Sequence, residues 1–162
     1  MFARCEVAVE QLLECCRRVE TSMAATYWFL AELHAGTPEM AALWRKTAGE
    51  EENHARQFAF ALKFPSLLAD PVVKAEDMNR WLKEVLDQDA AVRAAKPAAA
   101  DALRRCIDLE RRLADYHMNS IGIFHDPQMR KLFEAMMAAD RGHVQTLVEA
   151  LDRQAPPRQT RD

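Results

Sequence analysis

The chain has 162 residues, enough for one domain built around one sizeable core. Apolar residues make up 49% and charged residues 29%, with a net charge of −3, so no basic face marks a nucleic-acid binder. No apolar run reaches the roughly 18 residues of a membrane span, and the opening Met-Phe-Ala-Arg-Cys-Glu lacks the apolar stretch of a secretory signal, so the expected setting is cytoplasmic with no membrane partner.

Only four glycines occur. Alanine, leucine, glutamate and arginine are plentiful, and the chain shows no alternating β-branched run and no Asn-Gly or Asp-Gly turn. An all-α fold follows. The first helix is expected from Ala3 to His34, with the apolar stripe Leu13, Cys16, Met23, Tyr27, Leu30. Gly36 stops it, and Thr37-Pro38 supplies a capping residue and a proline at the first helical position. The second helix is expected from Pro38 to Phe64, with stripe Met40, Leu43, Thr47, Phe58, Leu62, ended by Pro65.

A long connector, residues 65–97, carries Asp70-Pro71 and a short extra helix from Lys74 to Ala94 bearing Met78, Trp81, Leu82 and Val85. The third main helix is expected from Ala98 to Phe124, with stripe Leu103, Cys106, Leu113, His117, Ile121. Asp126-Pro127 repeats the cap-and-proline device, and the fourth main helix runs from Pro127 to Gln154 with stripe Met129, Leu132, Phe133, Met136, Leu147, Leu151. The domain thus spans residues 1–154, and the proline-broken tail 155–162 is expected to be disordered. Two helical hairpins joined by one long crossover is the ferritin-like bundle topology. Cys5, Cys15, Cys16 and Cys106 form no C-x-x-C pair, which leaves them as buried, reduced, small hydrophobes.

The two hairpins match each other. Cys16-Arg-Arg-Val-Glu20 precedes Cys106-Ile-Asp-Leu-Glu110 by 90 positions. Thr37-Pro38-Glu-Met40 precedes Asp126-Pro127-Gln-Met129 by 89, as Leu43-Trp44 precedes Leu132-Phe133 and Glu51-Glu-Asn-His54 precedes Asp140-Arg-Gly-His143. One gap at the hairpin turn reconciles the offsets.

Each half therefore sets a carboxylate on the stripe of its first helix, Glu20 and Glu110. Each sets a carboxylate-x-x-His pair on its second, Glu51 with His54 and Asp140 with His143. Residues three apart share a helix face, so each pair offers an oxygen and a nitrogen together. Glu20 and Glu51 lie 16 and 15 residues from Gly36, roughly 22–24 Å at 1.5 Å per residue, which brings them level in antiparallel helices. Glu110 and Asp140 are each 15 residues from His125, level again. Four carboxylates in one core layer repel one another and lose solvation. Two divalent cations relieve both costs, and mixed imidazole and carboxylate donors suit iron or manganese, with zinc also compatible. Glu50 and Glu52 read as surface charges turned away from the stripe, and His34 as a charge partner for the end of the first helix.

At these residues the chain resembles the ferritin-like di-iron superfamily, nearest its rubrerythrin and bacterioferritin branch, over residues 5–152. The resemblance implies two iron ions held by Glu20, Glu51, His54, Glu110, Asp140 and His143, a homodimer, and redox chemistry toward peroxide or dioxygen. Three departures stand out. Asp140 replaces a glutamate, Leu113 stands where rubrerythrins carry a further glutamate, and no rubredoxin module is present, so electrons must come from a separate rubredoxin-like donor. Glu52, not methionine, follows Glu51, so no haem is expected.

Tyr27 lies two turns after Glu20 on the same face and could donate a proton or hydrogen bond to bound peroxide. His117, at the equivalent place after Glu110, could support the site from behind. A core tyrosine and a core histidine, each satisfied by neighbours, are the plain alternatives. A non-catalytic iron-binding or trafficking bundle and a di-iron oxygenase of an organic substrate are the competing functions.

Overall fold

A computed structural model describes residues 7–67, 73–120 and 125–154, without the side chains of residues 65 and 115–120. It is all-helical: α1 (Val9–Leu33), α2 (Pro38–Ala61), a 3-10 turn (Pro65–Leu67), α3 (Ala75–Ala95), α4 (Ala99–Ser120) and α5 (Pro127–Gln154). No described helix is long and apolar enough to cross a membrane. The expected disordered tail, residues 155–162, lies outside the described residues, as do Cys5, Asp70-Pro71 and Ile121.

α1 begins at Val9, not Ala3, because Val7 and Ala8 are not helical and Ala8 is extended (φ −64°, ψ 144°). Ala8 has no side-chain acceptor, so Gln11 closes the first turn by accepting from the Ala8 backbone N–H at 3.2 Å. The two matched turns also cap differently. Thr37 makes no capping hydrogen bond, and Pro38 alone marks the start of α2. Asp126 does cap: its Oδ1 accepts from the backbone N–H groups of Gln128 and Met129, both at 2.9 Å.

α2 ends at Ala61, three residues short of the expected Phe64. Pro65 disfavours helical backbone at the residue before it, and the chain tightens through Lys63 N–H to Phe60 O and Phe64 N–H to Ala61 O. α3 spans 21 residues, so the connector helix is nearly as long as α4, with 22. It ends on Lys96, in the left-handed region (φ 45°) just before Pro97.

α3 is not a loose strap. Val85 and Val92 are buried in the common core. Thr26 Oγ1 donates to Asp89 at 2.7 Å, Arg93 donates to Ala25 O at 3.2 Å, and the Cys15 thiol donates to Met78 O at 3.6 Å. The Arg93 guanidinium also sits 5.0 Å over the Phe29 ring. Cys15, Cys16 and Cys106 are buried and unbridged, as expected of small hydrophobes.

The core falls into two apolar clusters. Leu12, Leu13, Cys16, Phe58, Ala61, Met129, Phe133 and Met136 fill one end, with Phe58 and Phe133 tilted at 5.4 Å. Val19, Met23, Tyr27, Trp44, Leu103, Cys106, Leu113 and Leu147 fill the other. In the matched pairs Leu43-Trp44 and Leu132-Phe133, the aromatic residue is the fully buried one, so the expected stripe is off by one at Leu43. Along α2 and α5 the ionisable residues fall at the seam between the clusters, and they hold mid-height.

Candidate metal centre

Glu20, Glu51, His54, Glu110, Asp140 and His143 come from four helices and are all buried, at 2–6% exposure. That places six ionisable groups where unpaired charge is costly. Glu51 is the hub. Its Oε2 lies 3.2 Å from His54 Nδ1, and its Oε1 lies 3.0 Å from His143 Nδ1. His54 Nδ1 is also 3.3 Å from Asp140 Oδ1 and 3.8 Å from Glu20 Oε2. The two imidazoles stack with centroids 5.4 Å apart. Glu51, His54 and His143 can each turn one donor atom to a common point, with those atoms within 4.8 Å of one another, so this group could hold a metal ion.

One contact tests that fit. Glu51 Oε1 and His143 Nδ1 are close enough to bond, yet neither atom has a hydrogen-bond partner of acceptable geometry. Two buried atoms that face each other without a proton aligned between them are a pair that a cation could join.

The electrostatics carry the same strain. Burial, then the charges of Glu51, Asp140 and nearby Glu110, push Glu20 well above the ordinary carboxyl range. Burial and the Glu51 charge do the same to Glu110. Burial would also raise Glu51, but His143 and His54 beside it outweigh that and hold it low. Burial pulls both histidines down, and the neighbouring carboxylates, Glu51 foremost, overcome this and raise them. The metal-free cluster thus distributes protons so that not every carboxylate is charged.

Tyr27 points at the site from α1. Its buried hydroxyl donates to Glu110 Oε1, and its ring stacks on Trp44 with centroids 5.7 Å apart. Burial and Glu110 push the phenol well above its usual value, so it stays a donor. His117 lies on α4, but its side chain is outside the described residues.

Two side chains depart from expectation. Glu50 does not turn away: its Oε2 lies 3.0 Å from His143 Nε2. The signal was in the sequence, since Thr47, Glu50, Glu51 and His54 follow the i, i+3, i+4, i+7 spacing of a single helix face. Glu52 stays at the surface, as expected, where it accepts from Trp28 Nε1 at 2.8 Å and ties α2 to α1. His34 turns from the helix end to two partners farther along the chain. Its Nδ1 accepts from Trp44 Nε1 at 2.9 Å and its Nε2 meets Pro97 O at 3.0 Å, which makes it a link between the hairpin turn and the start of α4. Leu113, where the resemblance would put another carboxylate, is packed in the apolar core. No family model, curated protein or solved structure matches this chain.

Proposed function

We propose that the chain is a ferritin-like di-iron carboxylate protein of the rubrerythrin and bacterioferritin kind, redox-active toward peroxide or dioxygen. The observation that carries this reading is the buried group in which Glu51 faces both histidine Nδ1 atoms while Asp140 and Glu20 approach His54 and Glu110 is buried beside Tyr27. Four carboxylates and two imidazoles match the donor set and the near-neutral charge that two divalent ions require. A bound di-ferrous pair would supply the two electrons that, with two protons, take hydrogen peroxide to two waters.

The chain's own groups have separate tasks in this reading. Glu51 spans the site, with one oxygen toward each histidine. Tyr27 orients Glu110 through its hydroxyl and stands as a proton donor at the edge of the layer. The apolar clusters on either side keep bulk water out, which strengthens the interactions inside. Electrons would come from a separate donor, and a homodimer is the expected assembly.

The test begins with anaerobic reconstitution with ferrous iron, elemental analysis and a visible spectrum. Peroxide is then added. Fast oxidation of the iron with water as the product supports the proposal. Iron that exchanges but does not react with peroxide would replace it with the trafficking reading. Unchanged metal content in a Glu51→Ala/His143→Ala variant would remove the site altogether.

A further inference from the structure

His143 is held from both sides by consecutive residues of α2. Its Nδ1 lies 3.0 Å from Glu51 Oε1, and its Nε2 lies 3.0 Å from Glu50 Oε2. The two carboxylates differ in setting. Glu51 is buried in the layer, whereas the Glu50 side chain is 38% exposed and its other oxygen lies 3.8 Å from Lys46 Nζ. His143 itself is only 6% exposed, so Glu50 reaches it from the rim of the bundle.

An imidazole that gives a nitrogen to a cation must keep that nitrogen free of its proton, and a carboxylate on the opposite nitrogen secures this. Resting on the metal-centre reading above, we propose that Glu50 is a positioning residue: it holds the His143 proton on Nε2 and fixes the ring so that Nδ1 stays bare toward Glu51. The internal match does not repeat this arrangement at His54. The counterpart of Glu50, 89 positions on, is Ala139, a methyl that can accept nothing. The two histidines are therefore unequal: His143 is braced from the partner hairpin, and the residue that would brace His54 in the same way is missing.

The experiment uses the full chain, with cobalt(II) as the probe and Glu50→Ala, Glu50→Gln, His143→Ala and the Glu50→Ala/His143→Ala pair as variants. In metal-free wild type, the His143 Nε2–H proton is expected as a solvent-protected resonance in nitrogen-15 NMR, lost in Glu50→Ala and kept in Glu50→Gln, whose amide oxygen still accepts. Cobalt affinity should fall about 10–100-fold in Glu50→Ala and recover to within a few-fold in Glu50→Gln. In the His143→Ala background, Glu50→Ala should cost nothing further, because Glu50 acts through the ring.

An equal loss in that background would make Glu50 a mere attractor of cations and overturn the proposal. So would an unprotected Nε2–H in wild type, or wild-type affinity in Glu50→Ala. If wild type bound no cobalt, the metal-centre reading would fail, while the proton resonance would still decide whether Glu50 positions the ring.

Discussion

Loading the centre with a divalent ion should stabilise the fold and release protons; the stabilisation should grow with pH, and the number of protons released should fall. In the metal-free protein Glu20 and Glu110 hold protons above the usual carboxyl range, and His54 and His143 hold theirs above the usual imidazole range. A cation needs these groups deprotonated, so binding should expel between two and four protons, fewer as the medium becomes more alkaline. Each released proton makes affinity rise about tenfold per pH unit, so two give about 100-fold. At free metal a hundredfold above Kd, the gain is about 2.7 kcal/mol, which for a chain of this size is a rise in Tm of about 5–11 °C. Thermal unfolding by circular dichroism with manganese(II) or cobalt(II), paired with a pH indicator in weak buffer, measures both. Stabilisation without proton release, or the same stabilisation in the Glu51→Ala/His143→Ala variant, would refute the reasoning.

The metal-free protein should itself lose stability as pH rises. Glu20 and Glu110 bind protons more tightly folded than unfolded, so their contribution declines from pH 4.5 upward, and the raised histidines add a second decline above pH 6.5. Glu51 works in the opposite sense: its contribution is full above pH 4.5 and is lost progressively as pH falls below that toward its lowered value; urea midpoints across a pH series should therefore peak in weak acid, and a peak above neutrality would contradict the assigned shifts. Phe133→Ala empties a buried site against Phe58 and should cost about 3–5 kcal/mol in urea unfolding, with a loss under about 1 kcal/mol telling against that packing. Cys106, raised by burial and by Glu110, and the buried Cys15 and Cys16 should resist a thiol reagent until the chain unfolds; prompt labelling of the native protein would show the core to be open.

Helical rise is uniform, so counting residues from each turn predicts that Glu20, Glu51, Glu110 and Asp140 lie level; the structure buries all four, and it brings Glu51 together with His54 and His143 as a group that could hold a metal ion. Helix ends were less legible, because they depend on single contacts. Gln11, not a serine or aspartate, closes the start of α1, and Thr37 looks like Asp126 in sequence but does not cap. The face that Glu50 shares with Glu51 and His54 was legible, but its partner was not, and the role of His34 was hidden outright: His143 and Pro97 come from distant parts of the chain, and no local pattern announces which residue they meet. The same holds for α3, whose grip on α1 through Asp89, Arg93 and Val85 depends on the path of the crossover.

The division of the donor set between two hairpins has a consequence for assembly. Glu20, Glu51 and His54 belong to the α1–α2 hairpin, and Glu110, Asp140 and His143 to the α4–α5 hairpin. Neither hairpin folded alone can present both histidines to Glu51, since His143 must arrive from the other half. Metal capture at this group would thus be a late event that waits for the halves to dock across α3. An ion held at Glu51 would act as a rivet between two helical pairs, and chelation should loosen their seam well before it melts the helices themselves.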